Sequence, residues 1–109
     1  MATHATLLTL HLPSEKMNDL LEVLDGKLIP RCGEHQGFRG LLCLESGEAL
    51  GRSQVFIVSL WDQANFEDIR EAAEQLADDA SEILGVGVSR QSCWILRHVP
   101  GPATDPHSP

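Results

Sequence analysis

The side chains of this sequence most able to do chemistry are its histidines and cysteines, and they are thinly spread. Cys32-Gly33-Glu34-His35 sets a thiol and an imidazole at the C-x2-H spacing of half a zinc site. No second half follows, so the segment reads as a plain loop and no metal site is expected. His11 and His98 fall near the ends of two apolar segments expected to be neighbouring strands. Such a pair could shuttle a proton or hold a metal. No carboxylate stands at a spacing that would complete a site, and the plainer reading is two strand-end residues near solvent. Gly85-Val86-Gly87-Val88 lacks the third glycine of a phosphate-cradling loop and follows a helix rather than a strand. No nucleophile elbow or triad spacing occurs.

The elements that must position these residues are easier to read. Thr6 to Leu12 is β-rich and apolar, ends at Pro13, and reads as the first strand. Ser14 stands where a helix N-cap belongs, with Glu15 in the first turn. Met17, Leu20, Leu21, Leu24 and Leu28 form one helical stripe, weakened near its end by Gly26 and Pro30. Leu41 to Glu45 is a short second strand and Gln54 to Trp61 a strong third, joined as a hairpin across a glycine-containing loop. Asp62 is placed to cap a second helix from Gln63 to Leu84. Its apolar stripe includes Phe66, Ile69, Ala73, Leu76 and Ala80, its other side is acidic, and Gly85 is a plausible stop. Ser92 to Val99 reads as the fourth strand. The expected domain spans residues 1–99, and residues 100–109, with four prolines in ten, read as a disordered tail.

The order β-α-β-β-α-β predicts a ferredoxin-like α+β fold with two helices on one face of a four-stranded sheet. The strands do not alternate apolar with polar as a half-exposed sheet should. Val55, Ile57, Ser59 and Trp61 share one face of the third strand, and Phe56, Val58 and Leu60 share the other. Both faces therefore need cover, and a second copy packed sheet to sheet, a homodimer, supplies it. A net charge of −8 argues against nucleic acid and anionic membrane as partners. The chain has no apolar run near the ~20 residues of a membrane span. The start of the chain carries no secretory pattern, and three scattered cysteines form no disulfide framework. A cytoplasmic location is the expectation.

Gly37-Phe38-Arg39-Gly40 before strand two, and Val58-Ser59-Leu60-Trp61-Asp62 closing strand three, resemble the dimeric α+β barrel proteins of the antibiotic-biosynthesis-monooxygenase type. The likeness covers roughly residues 5 to 99. It implies two sheets facing each other in a dimer, helices outside, and a pocket in each subunit between sheet and helices. Members of that group include cofactor-independent monooxygenases that oxidise aromatic polyketides with dioxygen, haem degraders, and proteins without known chemistry. The resemblance implies that Trp61 lines the pocket as a wall for a planar substrate. Ile57 stands where the quinone-forming monooxygenases carry Asn, and the chain has no Tyr; Phe66 is the nearest aromatic. Helix two has no His to serve as the axial ligand of the haem-degrading branch, so haem fits less well.

The resulting expectation is a monooxygenase-like protein that needs no cofactor and acts on a small apolar or aromatic molecule. Trp61, Phe38, Phe66, Ile57 and Ser59 would line its site. His35, ahead of the Gly37-Phe38 turn near a pocket mouth, or His11 would be the base. The alternative is a non-catalytic binding or interaction module on the same scaffold.

Overall fold

The structure, a computed structural model, describes residues 2–49, 51–62, 66–99 and 101, the side chains of 48, 49, 66 and 68 apart. Four antiparallel strands form one sheet in the order β2-β3-β1-β4, where β1 is Ala2–Pro13, β2 Phe38–Ala49, β3 Arg52–Asp62 and β4 Val88–Trp94. Helical segments follow β1 and β3, so the α+β ferredoxin-like arrangement expected from the element order is the one observed.

The sheet faces follow from strand parity. On β1, His4, Thr6, Leu8, Leu10 and Leu12 are buried, and on β3 so are Ser53, Val55, Ile57, Ser59 and Trp61. These residues meet the helices. The residues between them point to the open side, where Leu7, Phe56, Val58 and Leu60 are half-buried and Leu42 and Leu44 of β2 are exposed. The open face is thus apolar, and none of the described residues covers it.

The first helical segment is composite. A short 3-10 turn, Ser14–Lys16, leads into α1, Met17–Val23; a wide turn, Leu24–Leu28, joins it to α2, Ile29–Gly33. In the wide turn the Ile29 N–H bonds to the Leu24 carbonyl, five residues back, which is π-helical geometry. Pro30 has no N–H to offer the preceding turn. Leu20, Leu24, Leu28 and Cys32 nevertheless all reach the core. Each fully buried leucine contributes about 1.5–3 kcal/mol. Ser14 does not act as the cap expected of it: the turn has no side-chain cap, and Ser14 Oγ is buried without a hydrogen-bond partner.

The second long helix, α3, is Phe66–Leu84. Ile69, Ala72, Ala73, Leu76, Ala77, Ala80 and Leu84 are its buried side, while Ile83 is exposed. Gly85 ends it with φ +67°, a left-handed conformation that glycine adopts without penalty. Lys16 Nζ donates to the Leu84 carbonyl at 2.9 Å, placing a cation at the negative end of the helix dipole. The start expected at Gln63 under an Asp62 cap, and the tail from residue 102 on, lie outside the described residues. Among the described residues, no helix is long and apolar enough to cross a membrane.

β4 differs from its sequence reading. It begins at Val88 and ends at Trp94, so Ile95 to Val99 lie beyond it, with Leu96 and Val99 exposed. One more backbone bond, from Ile95 N to the Thr3 carbonyl, continues the pairing with β1.

Candidate functional site

Chemistry-bearing side chains collect at one end of the helix side of the sheet. Moving from Leu12 toward the start of β1, this face reads Leu12, Leu10, Leu8, then Thr6 and His4. On β3 the same change follows the buried Ser53, through Val55, Ile57, Ser59 and Trp61, and on β4 the face reads Val88, Arg90, Ser92 and Trp94. The register aligns them. Thr6 stands opposite Ser59 on one side and Ser92 on the other, and His4 opposite Trp61 and Trp94. A rung of three hydroxyls is thus followed by a rung of indole, imidazole and indole. Phe38 of β2 extends that second rung, opposite Trp61.

Both strands flanking Trp61 are irregular at this point. Thr3 is an extra residue between the pairs Ala2↔Asp62 and His4↔Trp61, and Arg39 is extra between Phe38↔Trp61 and Gly40↔Leu60. Bulges of this kind re-aim side chains, and they are over-represented beside active sites. The bulged Arg39 donates through Nε and a terminal nitrogen to Asp62 Oδ2, at 3.3 and 2.8 Å. Asp62 N–H bonds to the Gly37 carbonyl at 2.7 Å. The Gly-Phe-Arg-Gly turn and the Trp-Asp strand end are therefore in direct contact. The exposed ion pair itself adds little stability.

Trp61 is 1% exposed. Its Nε1 donates to Ser59 Oγ at 2.8 Å, and Ser59 is in turn hydrogen-bonded to Thr6. Phe38 meets the indole edge-on at 5.4 Å between centroids and His35 at 5.9 Å. Tight turns after α2 hold His35 there: its N–H bonds to the Cys32 carbonyl, and its own carbonyl receives the Phe38 N–H. On the other side of Trp61 lies His4, 4% exposed, with the Trp94 ring 3.8 Å from its own and tilted by 51°. Trp94 itself is 64% exposed.

A crevice between α2 and α3, bordered by Arg31, Cys32, His35, Leu76 and Asp79, encloses about 10 Å³, room for about one water. Arg31 and Asp79 close it with an ion pair. Burial pushes the Cys32 thiol up to about 11, so it is a packing group there rather than a nucleophile. Among the described residues, no three histidine, cysteine or acidic side chains come together as a metal site.

Of the residues singled out in the sequence, His35, Phe38, Ile57, Ser59 and Trp61 share this end and face. Phe66 falls outside the described side chains. His11 is elsewhere: it is exposed, on the opposite face of the sheet, and seven residues along β1 from His4, roughly 23 Å at strand spacing. His11 and His98 are not neighbours either, because β1 and β4 run antiparallel and put their C-terminal ends at opposite edges. His4, Thr6 and Trp94 were missed, although the sequence carries a signal for them. Ser-x-Trp occurs twice, at Ser59-Leu60-Trp61 and Ser92-Cys93-Trp94, and His4-Ala5-Thr6 is its antiparallel complement between them.

This architecture is shared with solved structures over about nine-tenths of the chain. A monooxygenase from Streptomyces coelicolor, in complex with nanaomycin D, superposes with a TM-score of 0.65 at 14% identity, covering 94% of each chain. What is shared is the α+β ferredoxin-like fold. A dimeric ferredoxin-like protein from an uncultured marine organism gives 0.64 at 12% identity, covering 91% of this chain and all of its own. A protein from Bacillus cereus, provisionally assigned as an antibiotic biosynthesis monooxygenase, gives 0.61 at 15%, covering 93% of this chain and all of its own. No protein-family model matches the chain, and no curated protein matches it in sequence. The ferredoxin-like fold is held in common at identities that carry no activity with them.

Proposed function

We propose that this protein is a monooxygenase-like homodimer that takes a planar, mostly apolar aromatic molecule against the Trp61 end of the sheet. The supporting observation is the aromatic and hydroxyl pair of rungs, which follows the aliphatic pairs Leu8↔Ile57 and Leu10↔Val55 along the same face. Buried polar groups are costly unless bonded, and a polar row against aromatic walls suits a flat ligand with an oxygen on its edge. The solved S. coelicolor neighbour, a monooxygenase holding nanaomycin D, supports the same ligand class. The homodimer is supported by the uncovered apolar side of the sheet and by a neighbour described as dimeric.

In this reading no cofactor takes part. An imidazole, His35 in the first instance, removes the proton of an activated phenol. The electron-rich anion gives an electron to dioxygen, and the resulting pair combines to a hydroperoxide. Loss of water leaves the new carbonyl, so that one anthrone and one dioxygen yield one anthraquinone and one water. The protein supplies orientation, a dry site and the base. Oxygen uptake with an anthrone is the test. Wild-type protein is expected to consume dioxygen and release quinone, with at least tenfold slower turnover in Trp61→Ala and in His35→Ala. No uptake above the protein-free rate sinks the enzymatic reading.

The burial of Trp61 favours a second reading, a binding module without chemistry. Saturable quenching of tryptophan fluorescence by the anthrone, with no quinone formed, would establish it.

A further inference from the structure

We propose that His4 and Trp94 form the outer half of the ligand site. Trp94 is a displaceable cover, and His4 is the group that hydrogen-bonds a hydroxyl or carbonyl oxygen on the edge of a planar aromatic ligand. The inference rests on the aromatic-ligand reading above and names the residues through which such a ligand is admitted and recognised.

Two similar units differ sharply in their exposure. Ser59-x-Trp61 and Ser92-x-Trp94 flank His4-x-Thr6 in register on the same face. One indole is fully enclosed, whereas the other leaves 64% of its surface in water while its ring lies against a 4% exposed imidazole. A large aromatic normally gains most of its stabilisation by burial. Trp94 forgoes much of that gain and yet shields His4. Exposed side chains change rotamer in nanoseconds or less, so the cover can leave without any backbone rearrangement.

The crevice beside His35 has room for about one water, and Trp61 is enclosed, so a flat molecule needs another way in. Among the described residues, the aromatic of this row that is already mostly in solvent is Trp94. A ligand ring that takes the place of its indole keeps a ring contact at His4, because one planar ring replaces another. It then lies beside His4, with Trp61 the next residue beyond it across the sheet. The imidazole beneath adds what an aliphatic side chain could not. A neutral histidine presents one donor and one acceptor nitrogen, so it pairs with either a phenolic hydroxyl or a quinone carbonyl. The extra residue Thr3 immediately before His4 turns the strand at this point, as expected where a side chain is re-aimed.

The test uses the whole chain and 1-hydroxyanthraquinone, a flat phenol that undergoes no turnover. Histidine ring protons are followed by NMR in selectively labelled wild-type protein, the His4 signal being the one lost in His4→Gln. The expected result is saturable binding in which the His4 signal moves in proportion to occupancy. Affinity should fall at least tenfold in His4→Leu and recover in part in His4→Gln, and Trp94→Ala should bind at least threefold faster in stopped flow. Should His4→Leu fail to fold, the wild-type signal and the Gln variant decide. Binding with a stationary His4 signal, and with both His4 variants within twofold of wild type, overturns this inference and leaves the aromatic-ligand reading standing. No saturable binding by wild type sinks that reading, and this inference with it.

Discussion

The indole nitrogen of Trp61 donates a hydrogen bond to Ser59 Oγ at 2.8 Å, two residues back on the same strand and on the same buried face. Ser59 is also the partner of the Thr6 hydroxyl on β1. One small side chain therefore satisfies two groups that are cut off from water. Ser59→Ala should orphan both and destabilise the fold by about 1–3 kcal/mol, the usual cost of a buried unsatisfied polar group. Urea unfolding checks this. The double variant Thr6→Val/Ser59→Ala should cost less than the sum of the two single changes, because Thr6→Val removes one of the groups that Ser59→Ala strands. Strict additivity would mean that the hydroxyls are energetically independent.

The coarse fold was legible because β1 and β3 are β-rich apolar runs and both helices carry apolar stripes between turn residues, and the order of elements then leaves few topologies. The site was legible only in part. Trp61, Phe38 and His35 sit next to recognisable turns. His4 and Thr6 continue the parity of Leu8, Leu10 and Leu12, but polar residues near a chain terminus look like surface when read alone. β4 was misplaced because Trp94, Ile95, Leu96 and Val99 are apolar, although Ile95 to Val99 lie beyond the strand and Leu96 and Val99 are exposed. Its true span, Val88–Trp94, reads VSRQSCW, a weakly apolar sequence that local propensity does not favour as a strand. Pairing with β1 decides it.

Lys16 ties the beginning of the first helical segment to the end of α3 through the Leu84 carbonyl. Lys16→Met keeps much of the aliphatic stem and removes the charge. A loss of about 0.3–1 kcal/mol is expected, the usual worth of a cation at a helix C-terminus. The gap between wild type and variant should narrow in high salt. A gap that is unchanged by salt would assign the effect to packing.

Burial raises the Cys32 thiol from 9.0 to about 11, and burial first, with Glu45 second, raises Cys43. A raised folded value means that the native state holds the proton more tightly than the unfolded chain. The contribution of Cys32 is therefore fully present below pH 9.0 and is lost as pH rises toward about 11. The slope approaches about 1.4 kcal/mol per pH unit in that window. Stability measured from pH 8 to 10.5 should fall, and Cys32→Ala should flatten the decline. At pH 8 only about one part in a thousand of this thiol is ionised, so Ellman's reagent should reach it slowly until the protein unfolds.

Haem should find no axial ligand on α3. The buried side of that helix offers Ile69, Ala72, Ala73, Leu76, Ala77 and Ala80, none of which binds iron. Added haemin should give no sharp, saturable Soret shift. If such a shift appears, His4 and His35 become the ligands to test, since both lie at the Trp61 end.

The open side of the sheet gives the last prediction. Leu42, Val58 and Leu7 stand in one row across β2, β3 and β1, with Leu44 and Phe56 in the next. Leu42 is 52% exposed and Leu44 48%, an apolar surface of the kind that marks an interface. A two-fold related copy would bring the same rows against each other. Val58 lies at the centre and points away from the helices, so replacing it leaves the internal core untouched. Val58→Asp would put two carboxylates into the covered interface without partners, at a cost of several kcal/mol. Such a penalty weakens the dissociation constant by about a thousandfold or more. Wild type at micromolar concentration should sediment at twice the 11.9 kDa of one chain, and the variant near 11.9 kDa with its far-UV circular dichroism retained. A wild type that sediments as a single chain would remove the dimer from the proposal. A variant that stays dimeric would place the interface on another surface, with the apolar rows left to a different partner.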